Sequence, residues 1–207
     1  MKKSLGVVAL LLVLGLPAGC VVQSGGPYHA PEEKLDTPAA LRGQWQLVDG
    51  PLMDDKDREA LTQIPPWEFG ESEVTSYDKH GTASKLDVTF FRIGKQLYCD
   101  SQPSPVEDEG PPNEYWTYHV MPTHLLSKVE QQGDRMVLIT LDASWLEDQV
   151  KKGMISLPNL SLGEGLLLYT ATPEQWHDFL TQYGDDPVAF PPTEALVFRR
   201  AAAASAD

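Results

Sequence analysis

Residues 86–100 read LDVTFFRIGKQLYCD and predict the β-hairpin from which the rest of the fold can be inferred. The side chains of Leu86, Val88 and Phe90 face one way and the intervening ones face the other, as in a strand with two distinct faces. Gly94 then takes the first position of a two-residue turn, where a positive φ is required and glycine adopts it without a steric penalty. The residues after the turn continue as the second strand.

Similar short segments recur along the chain and predict eight or nine strands in all. Beyond the hairpin, the predicted strands cover residues 41–48, 73–77, 114–120, 125–131, 135–141, 166–170 and 195–199. Helix signals lie over residues 54–63, 142–152 and 172–183. Because short strands joined by hairpins dominate, the predicted fold class is mainly β, an antiparallel barrel or half-barrel with two or three short helices.

The helix at residues 172–183 has the strongest local signals. Its first four residues, TPEQ, supply a threonine N-cap, a proline at the first helical position and a capping-box glutamine. An apolar stripe follows at helical spacing and predicts the face that packs on the core: Trp176, Phe179, Leu180 and Tyr183.

The first predicted strand of the domain carries Gly43 and Trp45 in a G-x-W motif. This motif, at the start of a chain of short strands, resembles the opening of the lipocalins and their calycin relatives. The resemblance implies a lipocalin-like barrel with Trp45 closing one end, beneath an arginine of the last strand. The candidates for that cation–π contact are Arg199 and Arg200, and Arg199 is taken as the partner. The alternative is that Trp45 is a core aromatic with no pocket beside it.

The first twenty residues read MKKSLGVVALLLVLGLPAGC and predict a secretory signal peptide. Their apolar block, residues 5–16, is shorter than the roughly 18–20 residues that span a bilayer. The small residues Ala18 and Gly19 before Cys20 resemble the lipobox of bacterial lipoprotein precursors. One difference is Pro17, which stands where that family usually has a branched aliphatic residue. The resemblance implies that residues 1–19 are removed and that Cys20 then carries acyl chains.

The rest of the chain is expected to form one domain. Residues 20–38 are predicted to be a lipidated cysteine and a free tether, which as a coil would reach on the order of 25 Å. Residues 39–200 are predicted to form a single lipocalin-like domain, and residues 201–207 a loose tail. Val21 follows the cysteine where an aspartate would signal inner-membrane retention. By family analogy, the expected place is the cell envelope, on the outer membrane facing the periplasm if the host has two membranes.

The composition argues against nucleic-acid binding. The formal net charge is −14, and no basic run offsets it, so the chain repels phosphates and anionic headgroups alike. Attachment to a membrane is therefore expected through the acyl chains of Cys20. If Cys20 is acylated, Cys99 has no intramolecular partner, and it is expected to be a small apolar residue on a strand.

The sequence contains no recognisable serine-hydrolase, nucleotide-binding or metalloprotease motif, so no catalytic residue and no cofactor is predicted. His119 and His124 are weak candidate metal ligands that would need a third partner, for which Asp142 is considered. The segment 55–60, in which acidic residues alternate with others, lacks the glycine of an EF-hand loop and is expected to begin a helix. The acidic run 107–109 lies among prolines and is expected to be a surface loop.

Three functions remain open. The first is a non-enzymatic, lipid-anchored binding module for a small apolar ligand or a protein partner. The second is a structural or assembly lipoprotein that docks on another envelope component through exposed aromatics, with Trp67 and Trp116 as candidates. The third is a metal-dependent envelope enzyme, which depends on His119 and His124. The binding module is preferred, then the assembly role, then the enzyme.

Overall fold

The computed structural model describes residues 21–51, 53–78, 80–104, 123–163 and 166–202. Eleven strands lie in these ranges: β1 (Gln23–Ser24), β2 (Gly43–Asp49), β3 (Trp67–Phe69), β4 (Glu73–Tyr77), β5 (Ala83–Ile93), β6 (Gln96–Pro103), β7 (His124–Gln132), β8 (Arg135–Thr140), β9 (Asn159–Gly163), β10 (Leu166–Tyr169) and β11 (Ala195–Arg200). Three α-helices accompany them: α1 (Asp55–Leu61), α2 (Ala143–Lys151) and α3 (Pro173–Tyr183).

Eight of the strands close into a barrel. The ring runs β2-β3-β4-β5-β6-β7-β8-β11 and returns from β11 to β2, and every neighbouring pair in it is antiparallel. The predicted fold class is therefore confirmed: the protein is mainly β, with a closed antiparallel barrel and, in the ranges described, three short α-helices, consistent with a lipocalin-like barrel.

The predicted hairpin over residues 86–100 is present, and the predicted strands 125–131 and 135–141 form a second one. The turn between β5 and β6 has Gly94 at φ 58°, and the turn between β7 and β8 has Gly133 at φ 60°. The helix caps also follow the sequence. Thr172 accepts a hydrogen bond from the backbone N–H of Gln175 at the start of α3, and Asp142 caps α2. Short-range signals therefore determine these elements.

The barrel wall separates two hydrophobic cores. Because side chains alternate along a strand, Leu86, Val88 and Phe90 of β5 point into the barrel, whereas Phe91 and Ile93 belong to the core outside it. The largest fully buried side chains of the inner core are Trp45, Phe90, Phe198, Met136, Leu41, Leu47 and Leu61.

The outer core lies between the barrel wall and the helices α2 and α3. Trp176, Phe179 and Leu180 of α3 are buried in it, and Tyr183 is partly buried, so the apolar stripe of this helix faces the core. Phe91 joins from the wall. The barrel is thus covered from outside on this part of its circumference.

The expectation of a free tether requires a correction over residues 21–38, because this segment packs against the barrel. β1 pairs in parallel with β10 and antiparallel with β7, and Leu35 forms a β-bridge with Phe90 of β5. Tyr28 is fully buried, with its ring centre 4.6 Å from that of Trp176. The segment is held although its composition is typical of a linker, by strand pairing and by buried side chains such as Val22 and Tyr28.

Several sequence predictions lie outside the described residues. These are the signal peptide over residues 1–19, Cys20, the strand at 114–120, the acidic run 107–109 and residues 203–207 of the tail.

Neighbouring residues of β11 provide a test of the inner core. Phe198 has no exposed surface and contacts Trp67 with ring centres 5.1 Å apart, whereas the side chain of Arg199 is 63% exposed. We expect Phe198→Ala to lower the free energy of unfolding by about 3–5 kcal/mol, because it leaves a cavity in a packed interior. Arg199→Ala is the control and should change it by less than about 0.5 kcal/mol. Urea unfolding followed by tryptophan fluorescence measures both, and equal losses would contradict the assignment of the two faces.

Candidate functional site

Trp45 of β2 lies in the inner core, opposite the last residue of β11. Its ring is fully buried, and its indole N–H donates to the backbone carbonyl of Leu41 at 2.7 Å. The guanidinium carbon of Arg200 lies 4.1 Å from the ring centre, in cation–π geometry. Gly43 has a φ of 103°, and a Cβ there would lie 3.3 Å from Nη1 of Arg200, so glycine suits this position on both grounds.

The predicted partner Arg199 is corrected to Arg200. In the register of β2 and β11, Arg200 lies opposite Trp45, on the same face as Phe198. Arg199 points outward, 3.6 Å from the carboxylate of Asp134. Since side chains alternate along a strand, a shift of one residue moves the charge from one face of the wall to the other.

The barrel interior is filled by side chains. An eight-stranded barrel either packs its interior with side chains or holds one small ligand, and here large aromatic residues from β2, β5 and β11 meet inside it. Trp67 is also an inner residue, only 3% exposed, and its indole N–H donates to the carbonyl of Tyr77. The proposal that Trp67 is an exposed docking aromatic is therefore wrong, and Trp116 lies outside the described residues.

A cluster of polar groups lies on the outer wall of the barrel, around Asp100 of β6. The side chain of Asp100 is only 2% exposed, and its Oδ1 is hydrogen-bonded to Nδ1 of His124 at 2.8 Å. Its Oδ2 accepts from the backbone N–H of Tyr28 at 3.2 Å and lies 3.8 Å from Nε2 of His29. A buried carboxylate thus has one partner on β7 and two partners on the N-terminal segment.

These contacts fasten the N-terminal segment to the barrel. Burial, together with the negative charge of Asp100, raises the pKa of the Tyr28 phenol well above its usual value, so the hydroxyl stays protonated. That hydroxyl contacts the carbonyl of Val22 at 3.2 Å and the carbonyl of His124 at 3.4 Å. The backbone N–H of Tyr28 thus bonds to the barrel, and its hydroxyl lies between a carbonyl of β7 and a carbonyl of the N-terminal segment itself.

His124 does not form a metal site with Asp142. His124 is hydrogen-bonded to Asp100, and Asp142 is occupied as the N-cap of α2, accepting from the N–H of Trp145 at 2.8 Å. His119 lies outside the described residues. In the part of the chain that the structure describes, no group of three or more His, Cys, Asp or Glu side chains could hold a metal ion.

Cys99 and the acidic start of α1 have structural roles. Cys99 is 4% exposed and packed in the inner core, and burial raises the pKa of its thiol well above the usual value, so it stays protonated. Asp54 accepts hydrogen bonds from the N–H groups of Lys56 and Asp57, so these acids begin a helix.

Sequence reasoning missed a shallow cleft on the outer wall of the barrel. It has a volume of about 200 Å³ and lies between the strands β7, β8 and β11 and the segment that follows α3. Its apolar floor includes Val137, Ile139, Phe190 and Val197, and its charged rim is formed by Lys128, Glu130, Arg135 and Asp185. No local motif marks it, because its residues come from four separate segments.

Lys128 is the unusual residue of this cleft because it is only 7% exposed. Its ammonium donates to the carbonyl of Gly184 at 3.3 Å, lies 3.8 Å from the carboxylate of Glu130 and stands 5.7 Å from the ring centre of Phe190. The ammonium of Lys128 thus has a backbone carbonyl, a carboxylate and an aromatic ring as neighbours in the cleft.

No helix among the described residues is long and apolar enough to cross a membrane. Comparison with known proteins found no matching family model, no similar curated protein and no similar solved structure.

The cluster around Asp100 can be tested by removing its charge. We expect Asp100→Asn to lower stability by about 1.5–3 kcal/mol, because hydrogen bonds to charged groups contribute about that much. The amides of residues 22–37 should also exchange faster with deuterium. Asp134→Asn, at a carboxylate that is 71% exposed, is the control and should change neither quantity. Unchanged exchange over residues 22–37 in Asp100→Asn would show that the cluster does not hold this segment.

Proposed function

We propose that this protein is a cell-envelope lipoprotein, attached to the membrane by acyl chains on Cys20, whose barrel acts as a non-enzymatic binding module. The attachment is supported by the order of the first twenty residues: two lysines, an apolar block too short to span a bilayer, and small residues before a cysteine. The binding role is supported by the geometry of the outer cleft.

The size of the cleft favours a protein partner over a small apolar ligand. Pockets that enclose a small molecule usually measure about 300–1,000 Å³, and the cleft measures about 200 Å³. The barrel interior is filled by its own side chains. A recess of this size on an outer wall suits one or two side chains that project from another protein, and this is the observation that carries the proposal.

The chemistry of the cleft suggests what such a partner presents. Val137 and Ile139 offer an apolar floor, and the ammonium of Lys128 lies beside it. We propose that the partner presents an apolar side chain next to a carboxylate. The apolar side chain would be buried against this floor, and the carboxylate would pair with the ammonium of Lys128. The overall negative charge of the chain disfavours nucleic acid as the partner.

The place of action follows from the residue after the anchor. Val21 stands where an aspartate would retain the protein at the inner membrane, so in a two-membrane host we propose the outer membrane, with the domain facing the periplasm.

The anchor is tested by Cys20→Ala expressed in a bacterium that lipidates its envelope proteins. The unaltered protein should sediment with membranes and show by mass analysis an N-terminal cysteine carrying acyl chains. The variant should move to the soluble or unprocessed fraction, since about 0.8 kcal/mol of burial per CH₂ is lost with the chains. Cys99→Ala is the matched control and should remain on the membrane. A plain thiol at the N-terminus of the membrane-bound protein would overturn the anchor.

The cleft is tested by placing a photo-crosslinking amino acid at Arg135, which is exposed on its rim, and at Lys56, which is exposed on α1. In cells of the host, position 135 should yield a defined adduct with one envelope protein, and position 56 should not. Lys128→Met in the same background should weaken the adduct, because the partner's carboxylate loses its counter-charge. The same pattern of adducts at both positions, or none at position 135, would contradict a binding cleft.

A further inference from the structure

The place where the chain leaves the barrel toward Cys20 is fixed by two strand neighbours. Val21 forms an antiparallel β-bridge with Asp142, and two residues later Gln23 lies opposite Leu168 of β10. Cys20 is one peptide, about 3.8 Å between Cα atoms, from Val21. We call the end of the molecule at Val21 the anchor end and define it by Val21 and by Leu160, Leu162 and Val188, which lie on the elements to either side of it.

One side of the anchor end is formed by β10 and β9. Leu160 lies opposite Leu168, so the order across the sheet is Gln23, Leu168, Leu160. Leu160 is 55% exposed and Leu162, two residues further along β9, is 44% exposed. Because β1 and β10 run parallel, Val22 and Val21 extend toward the end of β10 that is paired with Gly163. Two strand spacings, about 10 Å, separate β9 from β1.

The other side of the anchor end is formed by the segment after α3. The backbone N–H of Asp142 donates to the carbonyl of Ala189 at 2.9 Å, so this segment lies directly beside the partner of Val21. Val188, the residue before Ala189, is 57% exposed, and its N–H is held by the carboxylate of Asp186. Five large apolar side chains are exposed in the described ranges, and three of them flank Val21: Leu160, Leu162 and Val188.

We propose that the anchor end rests on the lipid bilayer, with Leu160, Leu162 and Val188 in contact with the headgroup and upper acyl region. This inference depends on the proposed acylation of Cys20. A free coil over residues 21–38 would allow the domain to stand on the order of 25 Å from the surface. Here that segment is packed on the barrel, so the chain leaves no spacer between the anchor and this apolar end.

The charge of the protein selects the kind of lipid surface. The chain carries a net charge of −14, and the carboxylates of Asp142 and Asp186 lie at the anchor end. Anionic headgroups would repel these groups. The surface we propose is therefore a zwitterionic phospholipid layer, which interacts with the apolar side chains without that repulsion.

Single cysteines introduced into the full-length, host-processed protein can test this contact. Leu162→Cys reports on the anchor end. Leu35→Cys is the matched control, because Leu35 is 41% exposed and is separated from β1 by β7, β6 and β5. Cys99 is buried and Cys20 is expected to be acylated, so an environment-sensitive thiol dye should label the introduced cysteine. The labelled proteins are reconstituted into phosphatidylcholine vesicles with and without bromine-substituted acyl chains.

The expected result is a shift of the dye emission at position 162 to shorter wavelength and strong quenching by the brominated lipid, with neither effect at position 35. Mass analysis of the same samples reports whether Cys20 is acylated. Acylated protein with equal responses at the two positions, or with no response at position 162, would overturn the membrane contact alone. An unmodified Cys20 would overturn the anchor and, with it, the contact.

Discussion

Closure of the sheet by the pairing of β6 with β7 is the constraint on which the rest of this structure depends. Once the wall is closed, every strand has one face toward a small interior and one face outside it. Bulky side chains such as Trp45, Phe90 and Phe198 then fill the interior. The outer face of β5 to β8 is also apolar, with Phe91, Ile139 and others, so it needs a cover of its own.

That cover is made of three separate parts. The helices α2 and α3 supply most of it, and residues 21–38 supply another part through Tyr28 and the cluster around Asp100. The segment after α3 lies over β7, β8 and β11 but leaves the cleft beside Lys128. The proposed binding surface and the proposed membrane contact therefore both lie at the edges of this cover. The packed barrel interior supports the wall that carries them.

The packing of residues 21–38 changes the meaning of a lipid anchor in this protein. A flexible leash would separate the domain from the bilayer and leave its orientation free. With β1 built into the sheet, an acylated Cys20 would fix one end of the barrel at the surface. In that orientation, the cleft would keep a fixed position relative to the anchor. The reason is that the segment after α3 contributes Phe190 to the cleft and, through Ala189, pairs with Asp142, the bridge partner of Val21.

The sequence by itself determined the elements whose signals are local. The alternation of residues 86–100 and the glycine of their turn gave the central hairpin, and residues 172–175 gave the start of α3, because turns and helix caps are decided within a few residues. The position of Arg200 over Trp45, the cluster that joins His29, Asp100 and His124, and the docking of residues 21–38 were decided by tertiary structure. Their partners are far apart in the chain, and alternation alone does not tell which of two buried faces a side chain joins.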